Sequence, residues 1–261
     1  MKRILLAFQF LTIIPVKDMG EVSAKEVGKA TALFPVAGLL EGALLLVLAP
    51  LFLKVFPIEL TNGLLILVMV IANGGLHLDG LADTFDAIAS RGNKEKKLAI
   101  MKESTIGALG VIAIVMALLL KYLLLNALFF NSKPAVYYSA ILLMPVLSRW
   151  TMVPVIFHGR SAKQDGLGKM FIDHTEKKEL LTATFLTLLI SFLALGVMSQ
   201  FSLLAFHLMF VMPLLYIFGF LAVWFCNKNF DGMTGDTLGA VHEIAALLFL
   251  MMRVIWPQRF I

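Results

Sequence analysis

Three aspartates, Asp79, Asp83 and Asp86, fall within one short stretch, Asn73 to Ser90, that reads NGGLHLDGLADTFDAIAS. On a helix turning ~100° per residue they sit at about 0°, 40° and −20°, with Ser90 at about 20°. One narrow face therefore carries three carboxylates. Like charges at this spacing repel, and no base lies among them to compensate. A solvated loop edge seldom keeps three acids on one stripe between apolar residues. A divalent cation offsets the repulsion most simply, and Mg2+ suits all-oxygen ligands beside a substrate phosphate. The chemistry expected is metal-assisted phosphoryl transfer, with one ion or two.

A second acidic cluster is DGMTGDTLGAVHEIA, Asp231 to Ala245. Counted from Asp236, Glu243 falls at about −20°, the same i, i+7 relation that links Asp79 to Asp86. The turn from Gly232 to Gly235, with Thr234 and Asp236 as N-caps, opens a helix whose free N–H groups suit a phosphate. DGLADT (Asp79–Thr84) and DGMTGDT (Asp231–Thr237) differ by one insertion and two substitutions. We expect two facing acidic helix starts that share one metal–phosphate site, with Asp79, Asp83, Asp86 and Asp236 as metal ligands. The alternative for this cluster is ordinary capping plus a satisfied polar pair.

Further candidates surround these two. MKESTIGALG (Met101–Gly110) offers Glu103 as an acid at a membrane entrance and Ser104 or Thr105 as a cap. Gly107 and Gly110 read as helix-packing positions. Arg149, inside an apolar run, either clamps a phosphate by bidentate bonds or pairs with an acid such as Glu41. His77 points about 160° from Asp79 on a continuous helix, which suits capping or support better than ligation. Arg160, Lys163 and Lys169, interspersed with Gly159, Gly166 and Gly168, form either a positive-inside loop or a hold for an anionic substrate.

The elements that must position these residues are set by the bilayer. Of 261 residues, 60% are hydrophobic and 15% charged, with mean hydropathy +0.91. Soluble domains carry about 25% charged residues. The single cysteine, Cys226, excludes an internal disulfide framework and a cysteine-based zinc site. Apolar runs cover Thr31–Leu53, Thr61–Leu76, Gly107–Phe130, Ala135–Phe157, Leu180–Val197, Leu203–Cys226 and Leu238–Trp256. The fold expected is all-α: a polytopic transmembrane bundle of about seven spans (roughly six to eight) in one integral-membrane domain over the whole chain. The opening KRILLAFQFLTIIPV lacks a cleavage site and ends at Pro15, so it reads as an N-terminal interfacial or re-entrant helix. Lysine and arginine crowd the N-terminus and the loops Ala87–Ile106 and His158–Glu179, whereas the alternate connections are nearly neutral. That bias puts the basic loops and every acidic cluster in the cytoplasm, although Arg253 and Arg259 weaken the last span. The net charge of +5 is thus a topology signal, and no nucleic-acid partner is expected.

GGLHLDGLADTFDA, MKESTIGALGV, LSRW and GMTGDTLGA occur in the order and at the spacing of the membrane-bound cobalamin synthases, the adenosylcobinamide-GDP ribazoletransferases. The resemblance covers nearly the whole chain. Glu103 departs from the family's usual Asp, and Ala87 from its frequent Gly. The resemblance implies a Mg2+-dependent transferase of the inner membrane, its active site facing the cytoplasm. The ribose hydroxyl of α-ribazole or its 5′-phosphate would attack adenosylcobinamide-GDP and release GMP. It implies Asp79, Asp83, Asp86, Glu103 and Asp236 in catalysis, and His77, Ser104, Arg149, Thr234, Gly235 and Glu243 around the substrates. Partners beyond substrates and lipid would be a second copy or other cobalamin-assembly enzymes. The alternatives are an intramembrane prenyltransferase with aspartate-rich Mg2+–diphosphate motifs and a cation transporter.

Overall fold

The computed structural model describes residues 2–13, 22–103, 105–197 and 199–260, the last four without their side chains. In chain order the helices are α1 (Lys2–Leu11), α2 (Ala24–Ala30), α3 (Phe34–Leu53), α4 (Ile58–Ala72) and α5 (Leu76–Ala89). There follow α6 (Lys94–Ile100), α7 (Ala108–Asn131), α8 (Pro134–His158), α9 (Leu167–His174) and α10 (Lys177–Val197). The last three are α11 (Phe201–Phe206), α12 (Met212–Phe230) and α13 (Gly235–Phe260), with a π-helical stretch, His207–Val211, between α11 and α12. The described residues hold no strand, so the chain is an all-α bundle.

Six stretches are long and apolar enough to cross a bilayer: α2–α3, α7, α8, α10, α11–α12 and α13. A seventh crossing needs α4, which at 15 residues is only ~22 Å long. The reason is the break after it. Gly74 and Gly75 both take left-handed φ, +60° and +73°, which a side chain would oppose. The chain there bends by 86° into α5. Consequently α5 lies across the first turns of α7 and α13.

The centre of the bundle is α8, whose 18-residue apolar window is 89% buried. An apolar helix without a polar face has no choice but to be surrounded, and α3, α10, α12 and α13 supply the surroundings. Pro145 interrupts its hydrogen-bond ladder, and the Pro145 carbonyl accepts from Ser148 and Arg149 lower in the same helix. The last span is one continuous helix of 26 residues. Arg253 is fully buried within it and donates to the Val136 carbonyl (3.0 Å) and to Ser139 Oγ at the start of α8. It is a packing residue and no argument against the crossing. The N-terminal expectation meets α1, which packs on α2 and α3; Pro15 lies outside the described residues.

Candidate active site

The site is built where helix beginnings meet. Asp79 stands in the first turn of α5 and Asp236 in the first turn of α13. The two helices cross with their backbones touching. A Cβ on Gly80 would lie 2.6 Å from the Asp236 carbonyl oxygen, so only glycine permits this approach. The two acidic helix starts therefore do face each other. The likeness between DGLADT and DGMTGDT is nonetheless incomplete, because Asp231 is not the counterpart of Asp79. It sits exposed in the α12–α13 turn, neutralised by Arg160 (2.6 Å) and Lys94 (3.2 Å).

Asp86 has a different task. Its two oxygens accept from the N–H groups of Gly107 (2.6 Å) and Gly110 (2.8 Å), which makes it the cap of α7. Side chains at 107 or 110 would occupy the carboxylate's space, and one at 110 would also press on the Ala82 carbonyl of α5 (3.1 Å), so the glycine pair serves this cap together with the helix contact expected of it. Three helix N-termini, those of α5, α7 and α13, thus converge on Asp79, Asp86 and Asp236. Their partial positive charge eases the repulsion among the acids.

Asp83 lies between them, half-buried, without a hydrogen-bond partner of its own among the described contacts. Burial first, then the charges of Asp79, Asp236 and Asp86, push its carboxyl up to about 6; Lys163 pulls weakly the other way. The positive charge at hand is Lys163, whose Nζ lies 2.9 Å from Asp236. Among the described residues no three acidic, histidine or cysteine side chains stand close enough together to hold an ion as they are placed. The donor set still fits Mg2+. It is all oxygen, it faces open space, and it carries more negative charge than Lys163 neutralises.

Beside the acids opens a cavity of about 310 Å³. Asp79, Asp236, Lys163 and Lys169 line its polar side, and Phe10, Phe34 and Phe171 its apolar side. The basic loop that holds Lys163 is fixed against α13. Met233 donates to the Arg160 carbonyl (2.7 Å) and accepts from the Ala162 N–H (2.9 Å).

Several expected site residues lie elsewhere. Arg149 is fully buried and pairs with Glu41 and, at 2.6 Å, with Asn73. It is not a phosphate clamp: a guanidinium at that depth needs its counter-charge, and Glu41 supplies it. Glu243 is likewise no substrate ligand, since it forms a buried ion pair with Lys121 at 2.5 Å. The Thr234 hydroxyl is spent on capping, accepting from the Thr237 N–H at 3.1 Å; only its position on the cavity wall remains from the expectation. Gly235 lines the cavity too, whereas Glu103 is exposed and outside it. Ser104 lies outside the described residues. His77 is buried, stacks on His242 (3.8 Å between ring centroids, 25° between planes) and borders the cavity.

Sequence reasoning passed over Lys121 and His242. Lys121 was the legible one, because a lone lysine in the middle of an apolar run marks an intramembrane partner. His242 leans on Glu243 (Nδ1 to Oε1 3.4 Å) and bonds Ser148 Oγ (3.0 Å). Together Arg149–Glu41–Asn73 and Lys121–Glu243–His242 grip the α4–α5 break from two sides.

Residues 3–254 match the family model described as cobalamin-5-phosphate synthase. The adenosylcobinamide-GDP ribazoletransferase of Geotalea daltonii is 34% identical over 98% of both chains. That of Fusobacterium nucleatum is 36% identical over the whole of both, and that of Acetivibrio thermocellus 37% over 97% of both. No solved structure matches. With a match that runs almost end to end, this membrane-embedded chain belongs to the cobalamin-5-phosphate synthase family of transferases.

Proposed function

We propose that this enzyme joins adenosylcobinamide-GDP to α-ribazole or its 5′-phosphate, with Mg2+, at the cytoplasmic face of the inner membrane. The observation that carries the proposal is the meeting of Asp79, Asp83 and Asp236 at converging helix N-termini beside one cavity. Its relatives are named for this reaction, and the family match sets aside the prenyltransferase and transporter alternatives.

The acceptor's ribose oxygen attacks the cobinamide-side phosphorus of the donor pyrophosphate. The bond to the bridging oxygen breaks, and GMP carries that oxygen away. Bound to Asp79, Asp83 and Asp236, Mg2+ would neutralise the pyrophosphate and the charge that develops on the leaving oxygen. The chain does the rest by placement. The first N–H groups of α13 are aimed at a phosphate. Lys163, paired with Asp236, is released to a phosphate oxygen once that carboxylate is engaged. Asp86 fixes α5 against α7, which holds Asp79 at the cavity. Of the acids named for accepting the hydroxyl proton, Asp79 and Asp236 line the cavity and Glu103 does not, which favours these two aspartates over Glu103.

Asp83→Asn tests the assignment. It should lower Mg2+-dependent GMP release by about 10²-fold or more while the purified protein keeps the elution of the parent and unfolds at no lower a temperature. Near-normal turnover would remove Asp83 from the mechanism.

A further inference from the structure

The reaction has two substrates of very different shape, and the proposed function does not say which of them the cavity takes. Its apolar wall comes from three elements: Phe10 of α1, Phe34 of α3 and Phe171 of α9. Phe171 meets the other two edge to face, both at 5.3 Å between centroids. An array of this kind favours another flat aromatic ring. His77 also borders the cavity; it is 2% exposed, and its Nε2 has no hydrogen-bond partner among the described residues. A buried polar atom without a partner is costly, and a ligand atom would remove that cost.

We infer that this cavity is the acceptor pocket: it takes the benzimidazole ring of α-ribazole against Phe10 and Phe171, backed by Phe34, with His77 donating to the free ring nitrogen. The inference rests on the function proposed above. The donor fits poorly on each side of its pyrophosphate. Guanine carries N–H and carbonyl groups along its edges, and the phenylalanine wall leaves them unpaired. A corrin macrocycle is too large for about 310 Å³, at the small end of ligand pockets. A dimethylated benzimidazole nucleoside has no base N–H at all and a single unsubstituted ring nitrogen, which is the demand that one histidine donor meets. The ring so placed directs the ribose towards Asp79 and Asp236, where the cavity turns polar. Lys163 and Lys169 line that same side.

The test uses the full chain in detergent, titrated calorimetrically with α-ribazole and, separately, with GDP. Phe171→Ala should weaken α-ribazole about tenfold, the loss expected for a buried aromatic anchor, and leave GDP unchanged. Leu76→Trp, at a half-exposed cavity position where the fold has room, should block α-ribazole by filling the space, and it carries the test if Phe171→Ala unfolds. His77→Phe keeps the stack on His242 and removes the donor. It should weaken α-ribazole while leaving the affinity for an indole riboside, which lacks the ring nitrogen, as in the parent. Unchanged α-ribazole affinity in both Phe171→Ala and Leu76→Trp would overturn the inference, as would a parallel loss of GDP. A parent protein that binds α-ribazole with these sensitivities yet releases no GMP would defeat the proposed function and leave the pocket assignment standing.

Discussion

Asp83 and Asp86 are one helical turn apart and have opposite circumstances. Asp86 has two backbone donors, whereas Asp83 has the other carboxylates around it and a raised affinity for its proton. The helical period made the shared stripe legible in the sequence. It could not show which acid was already engaged, because the donors at Gly107 and Gly110 lie 21 and 24 residues further on. A pH dependence follows. The ordinary carboxyl value is 3.8 and that of folded Asp83 about 6, so between these values the folded chain holds a proton that the unfolded chain releases. Without an ion, ionising Asp83 therefore costs stability as pH rises through this window. An ion competes with the same proton. Mn2+ affinity, read by electron paramagnetic resonance as a Mg2+ stand-in, should climb by about tenfold per pH unit up to about pH 6 and level off above it. A flat profile from pH 5 to 8 would show that Asp83 does not ligate the ion.

At the scale of the element, α5 is positioned by groups that never reach the cavity's carboxylates. The Gly74–Gly75 pair announced the end of an apolar run. The 86° bend was not legible, since it depends on what holds Asn73 and His77 from the side. Arg149 left two readings open for the same reason: periodicity cannot choose a partner 108 residues away. The Lys121–Glu243 pair makes the dependence measurable. Lys121→Met strands a buried carboxylate and should cost about 3–5 kcal/mol in unfolding experiments in detergent. The double variant Lys121→Met with Glu243→Met should recover most of that loss. A double variant as unstable as the single one would mean that the pair's charges do not stabilise each other.

For the whole molecule, apolar runs and loop charges gave the number of crossings and their order, because the bilayer imposes a length and the translocation machinery reads lysine and arginine. The helix starts gathered at the mouth were legible only as two separate motifs. Their meeting depends on Gly80 crossing α13, a contact between residues more than a hundred positions apart. Orientation itself is open to direct measurement. In a Cys226→Ser background, a cysteine at Lys133 should react with a membrane-impermeant maleimide in intact cells, and a cysteine at Gln164 only after lysis. Both positions are exposed. The reverse pattern would put the acidic mouth outside the cell.

The two buried ion pairs also differ in when they can form. Glu41 and Asn73 both precede Arg149 in the chain, so this arginine enters the bilayer with its partners already made. Lys121 must wait for Glu243, 122 residues later, or roughly 6–25 s at ordinary rates of synthesis. During that interval α7 holds a cation in the membrane with no counter-ion, and a ribosome stalled before α13 leaves it so. The last helix thus closes the circuit that α7 opened. Until it arrives, the nascent protein is a natural substrate for membrane quality control.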